Sequence, residues 1–148
     1  MKSIALFLFA FLLNNGGCDA ETQEDLKNTI IEYSARTRGY SQNIVIKNQE
    51  ITIETDSRGN KSEDKAKISN ADWKILIAEF QKLKLEEMKD LAAPTDKRTY
   101  DAAAIGQLSV TYKDKKHVSN SFDNGFPPAA IAKFVNKITA ISKASIKK

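Results

Sequence analysis

One cysteine and one histidine occur in the 148 residues, Cys18 and His117, and that scarcity decides most of the chemistry open to the chain. A zinc centre drawn from thiolates and imidazoles needs three or four such ligands, so His/Cys metal sites are excluded. No cofactor is implied. A Ser-His-Asp triad has only His117 to use, and His117 stands among Lys113, Lys115 and Lys116, where it reads as an exposed strand residue. Neither a G-x-S-x-G elbow nor a glycine-rich phosphate loop is present. Carboxylate chemistry remains, and its one cluster is Asp96, Arg98 and Asp101, with Asp123 further along. Catalysis there requires an aspartate with a raised pKa in a closed pocket. Asp123-Asn124-Gly125 lacks the D-x-[DN]-x-[DN]-G spacing and the distal glutamate of a calcium loop. Asp123 is instead expected to accept backbone N–H groups, in its own turn or at the start of the last helix. Arg36, Arg38 and Gly39 form a basic, exposed turn, suited to lipid headgroups or an acidic partner and otherwise a solvated hairpin end.

Cys18 has a different chemistry in prospect. Met1-Lys2-Ser3 is a small positive start, Ile4 to Leu13 is unbroken and apolar, and Asn14-Asn15-Gly16-Gly17 is a small, polar exit. The layout is that of a secretory signal, with an apolar run too short to remain as a membrane span. Cysteine at the cleavage point resembles a bacterial lipoprotein signal, in which the thiol is acylated and becomes the new N-terminus. Asn15 departs from the aliphatic residue usual there, and looser versions of this kind occur in the Bacteroidetes. The competing expectation is a secreted protein with a free thiol, a liability in an oxidising compartment. Lipidation of Cys18 therefore implies a membrane partner through the N-terminal lipid, at the cell envelope and on the outer membrane, facing the periplasm or the surface. Acyl chains contribute about 0.8 kcal/mol per buried CH₂, so several give stable anchoring where one does not.

Residues 18–28 then read as an acidic tether, 29–142 as a single domain, and 143–148 as a basic tail. Formal charge is +4 with the basic residues interleaved, which describes a solvated surface. Export and the lack of an aromatic-basic platform argue against nucleic acid as a partner. With no second cysteine, packing alone must hold the fold.

The elements that would position these residues follow from periodicity. Thr29–Thr37 alternates, with Ile31, Tyr33 and Ala35 on one face; residues 43–47 and 50–56 repeat the pattern, and 61–68 is a polar strand suited to an edge. Ser69 and Asp72 are spaced as a capping box, and Ile68 and Trp73 as a hydrophobic staple. Trp73, Leu76, Ile77, Phe80 and Leu83 then make one helical stripe. Residues 92–102 show no period and contain Pro94, and a long ordered loop is a candidate binding surface. Arg98 and Asp101 can pair or take ligand groups; the plainer expectation is that they staple the loop to the sheet. A hairpin follows, residues 104–112 and 116–122. Pro128 suits a first helical position, and Ile131, Phe134, Val135, Ile138 and Ile141 form the last stripe. The expected fold is α+β: a four-stranded meander, helix, β-hairpin and helix, with both helices packed on one face of an antiparallel sheet.

Tyr33 with Thr37-Arg38-Gly39, Trp73, Ala93-Pro94-Thr95 with Arg98 and Asp101, and Phe122 to Pro128 together resemble small uncharacterised lipoproteins of flavobacteria and related Bacteroidetes. Two positions depart from that pattern: Ala102 where glycine is expected after the aspartate, and Asn124 where histidine is expected. The resemblance implies an envelope location and no particular activity. The leading expectation is a non-catalytic envelope protein binding a partner protein or envelope component through Arg98, Asp101, Asp96, Asp123 and Arg38. The alternatives are a carboxylate-dependent hydrolase or ligand-processing enzyme, and a small inhibitor or immunity-type protein with a flat aromatic patch.

Overall fold

A computed structural model describes residues 25–146; the signal run, Cys18 and the acidic residues just after it lie outside them. Four strands, β1 (Ile30–Thr37), β2 (Tyr40–Lys47), β3 (Glu50–Ser57) and β4 (Asn60–Lys67), form an antiparallel meander. Register keeps the apolar side chains on one face: Ile31 opposite Ile46 opposite Ile51, and Tyr33 opposite Ile44 opposite Ile53. All six are buried, and a slip of one residue would turn them all outward. Two-residue turns make the meander tight. Asn48–Gln49 and Arg58–Gly59 hold positive φ at both positions, the geometry that matches strand twist. The outer strand β4 is polar and charged, which blunts the open edge against pairing with another chain.

β5 (Ile105–Tyr112) pairs with the free edge of β1, giving the order β4-β3-β2-β1-β5-β6. β6 (Lys115–Val118) and β7 (Phe122–Asp123) share the other edge of β5. The expected single strand over 116–122 is therefore two. Val118 faces Ser109, whereas Phe122 faces Gly106, so the 119–121 segment holds one residue more than the stretch of β5 it spans. Such a bulge shifts side-chain parity by one. Without it Phe122 would face Ile105 and point away from the core. With it, Phe122 is fully buried and its ring stacks against Tyr33 at 6.3 Å. Gly106 leaves the space: a Cβ there would meet the Phe122 ring and the Tyr33 hydroxyl, each at 2.9 Å.

Helices α1 (Asn70–Phe80) and α2 (Ala129–Ile146) cover the apolar face, with Leu76, Ile77, Phe80, Ile131, Phe134, Val135, Ile138 and Ile141 in one core with the strands. Each fully buried apolar side chain contributes about 1.5–3 kcal/mol. Ser69 caps α1 as its spacing suggests, its Oγ accepting the Asp72 N–H at 3.1 Å. Lys137 of α2 donates to Asp72 Oδ1 at 2.6 Å. Hydrogen bonds from Lys137 and Ser69 hold the Asp72 carboxyl below its ordinary pKa. Pro128 sits one residue before α2, its carbonyl accepting the Ile131 N–H.

Two boundaries and the burial of one side chain differ from expectation. Residues 25–28 are a helical turn, not tether: Leu26 is buried, and Asp25 accepts the Tyr112 hydroxyl at 2.9 Å and pairs with Lys113. Residues 143–146 are helix rather than tail, continuing α2 beyond the buried Ser142. His117 is buried, because it faces Val110 on the helix-covered side and a 3₁₀ turn (Leu85–Asp90) lies against β6. Among the described residues no helix is long and apolar enough to cross a membrane.

Candidate functional site

Asp123 is the one carboxylate buried among the described residues. β7 carries it, and the loop over residues 92–102 closes around it. Thr95 Oγ1 donates to Oδ2, the Lys97 N–H to Oδ2 at 2.8 Å, and the Arg98 N–H to Oδ1 at 2.8 Å. Arg98 Nη1 lies 3.4 Å from Oδ1 and donates to the Thr95 carbonyl at 2.7 Å. The loop folds this way because Lys97–Thr99 is a short 3₁₀ turn whose first amides point at one carboxylate. Burial alone would raise the Asp123 pKa; the Thr95 hydroxyl, the Arg98 and Lys97 amides and the Arg98 guanidinium outweigh it and lower it to about 2. A carboxylate so occupied stays ionised and holds the loop. It is neither a general acid nor a free ligand.

Asp123 does accept backbone N–H groups, as its sequence context suggests, but from the 92–102 loop and not from α2. Arg98 staples the loop through Asp123; Asp101 is exposed, and no ion pair joins it to Arg98. Asp96 is exposed and contributes its carbonyl, which accepts the Thr99 N–H and hydroxyl. The neighbouring turn is fixed as well. Tyr33, whose hydroxyl pKa burial pushes up to about 12, donates to Asn124 Oδ1 at 2.6 Å. Ala102, the residue standing where glycine was expected, has φ +49°, a region that costs a side-chain-bearing residue roughly 1–2 kcal/mol. Its carbonyl accepts the Thr37 hydroxyl at 3.0 Å, which ties the loop to the end of β1.

That tie brings the loop to a cavity of about 650 Å³ on the sheet face opposite the helices. Its lining includes Arg36 and Arg38 from β1 and its turn, Arg58 from the β3–β4 turn, and Arg98 from the loop. Across the sheet the row runs Ile105, Arg36, Ser41, Asp56. Arg36 follows the inward-facing Ala35, so strand alternation turns it outward. The two hairpin ends are joined by the Arg58 N–H donating to the Gly39 carbonyl at 2.8 Å. Gly39, at φ +74°, lies under the Arg58 side chain, where a Cβ would touch Cγ at 3.4 Å. Asp56 is the single acid of the lining, and its Oδ1 already accepts the Gly59 N–H at 2.9 Å.

Of the residues singled out from sequence, Arg38 and Arg98 meet at this cavity, while Asp96 and Asp101 are not part of its lining. Sequence reasoning misses Arg58, and Arg36 enters it only as part of a basic turn. The signal available for both was residue type: four of the 23 basic residues are arginine, and three of those lie in or beside tight turns. Among the described residues no three of His, Cys, Asp and Glu come together as a metal site. No family model, curated protein or solved structure matches this chain.

Proposed function

We propose that this chain is a non-catalytic binding domain of the bacterial cell envelope, held at the outer membrane by a lipid on Cys18. Its partner docks where the β1–β2 and β3–β4 turns meet the 92–102 loop. The observation that carries this reading is the cavity itself. Three turns far apart in sequence are fastened together around it, by Arg58 to Gly39 and Thr37 to Ala102, and none of Arg36, Arg38 and Arg58 has an ion-pair partner among the described residues. Fastening without internal charge compensation suits a surface kept ready for something else. The consumed Asp123 carboxylate supports binding over catalysis, because it is the buried acid an enzyme reading would have called on. The anchor rests on the Cys18 context alone, and palmitate labelling against Cys18→Ser tests it.

The docking end is tested by placing a photo-cross-linking residue at Tyr40, on the cavity rim, or at Asp114, in the β5–β6 turn, in living cells. A discrete adduct from position 40, reduced by Arg36→Gln with Arg58→Gln, is the expected result. An adduct from position 114 alone, or one from 40 indifferent to the arginines, contradicts the reading.

A further inference from the structure

All four arginines of the chain line this one cavity, and among the described residues no lysine does. Seven of the lysines, Lys65, Lys82, Lys84, Lys113, Lys115, Lys116 and Lys137, instead lie within ion-pair distance of carboxylates elsewhere on the molecule. A need for mere positive charge would be met by either residue type. Segregation of the planar, five-donor side chain to one hollow points to oxyanion recognition, which the guanidinium fork suits and the ammonium does not.

Resting on the docking end proposed above, we infer that the cavity binds a phosphoryl group, and that the ligand is a phosphate- or diphosphate-bearing molecule. Donors arrive from two hairpin turns and a loop, so they converge from several sides. A tetrahedral phosphate accepts from several directions, whereas a carboxylate is satisfied by one or two forks in its plane. Charge agrees: with Arg98 already balanced by Asp123, the guanidinium groups of Arg36, Arg38 and Arg58 face one carboxylate, Asp56, whose Oδ1 is engaged, and a single carboxylate ligand would leave part of that excess unbalanced. Ile105, Ala102 and Ala103 complete the lining and offer an apolar wall for the body of the ligand. The phosphoryl group belongs either to a lipid headgroup or to a soluble or glycan phosphate, and the two sources share this chemistry.

The test uses the mature chain with Cys18→Ser, so that no acyl chain contributes, and inorganic pyrophosphate as the probe in titration calorimetry. Saturable binding is expected, weakened about tenfold by Arg36→Gln or Arg58→Gln and unaffected by Lys115→Gln with Lys116→Gln. Arg36 and Arg58 are exposed, so these variants should keep their melting temperature. In parallel, phosphatidylcholine vesicles with and without phosphatidic acid are sedimented with the protein. Retention by phosphatidic acid, competed by pyrophosphate, assigns the headgroup source; pyrophosphate binding without retention assigns a soluble or glycan source; both sustain the site. No saturable pyrophosphate binding, equal loss from the lysine variant, or tighter binding of citrate overturns the inference. In that event a persistent, arginine-dependent adduct from position 40 would show that the docking end stands and only the ligand class is wrong.

Discussion

At the level of single residues, Asp123 does the most. It replaces the missing internal order of a segment with no apolar periodicity by collecting two amides, a hydroxyl and a guanidinium around one buried carboxylate. Its folded pKa of about 2 lies below the roughly 3.9 of an unfolded aspartate. The stabilisation is therefore fully present above about pH 4 and is lost as pH falls through 2. Asp123→Asn should lower the melting temperature at neutral pH and flatten its fall between pH 4 and 2, as read by thermal unfolding across that range. Amides of Lys97 and Arg98 should exchange faster in the variant. An unchanged melting temperature with unchanged exchange would mean that the loop is held by other contacts. Sequence could identify Asp123 as an acceptor of amides, because an Asp-Asn-Gly turn invites that. Which amides it takes depends on a partner some 25 residues upstream, and no local spacing encodes that.

At the level of elements, legibility followed apolar period. β1, β2, β3 and β5 bury alternate residues, and the last helix stripe is buried where its spacing put it; of the first stripe Leu76, Ile77 and Phe80 are buried, while Trp73 and Leu83, the latter beyond the end of α1, are partly buried. Where the period is silent, reading from sequence stopped short. Leu26 is a lone apolar residue in an acidic run, and residues 143–146 extend α2 by one turn whose only large apolar side chain, Ile146, is exposed. The bulge between β6 and β7 falls in Ser119-Asn120-Ser121, a polar stretch with no parity of its own. Its consequence is testable. Deleting Ser121 removes the extra residue, so an unbroken β6 register still brings Phe122 opposite Gly106, whereas deleting Asn120 and Ser121 together brings it opposite Gln107 and turns it away from the core. The double deletion should cost about as much as Phe122→Ala, about 3–5 kcal/mol, in urea unfolding, while the single deletion should cost much less. A double deletion as stable as the parent, or a single deletion as costly as the double, would mean that the residue count between β6 and β7 does not set the parity of Phe122.

For the whole molecule, the sheet separates two ends. Asp25 is bound at the Tyr112–Lys113 end of β5, and the cavity lies at its Ile105 end, about 23 Å away at roughly 3.3 Å per residue. With the proposed lipid on Cys18, the chain would enter the domain at the end remote from the arginines and present them outward. That arrangement was legible only in part. The basic turn at Arg36 and Arg38 stood out, but its meeting with Arg58 and Arg98 is a product of the meander and the loop staple. The most direct measurement exploits the small number of arginines: their four side-chain Nε–Hε NMR signals, followed in the mature Cys18→Ser chain as pyrophosphate is added. Arg36, Arg38, Arg58 and Arg98 are expected to shift together with a single midpoint. Stationary arginine signals, or four that move with unrelated midpoints, would contradict a common anion site.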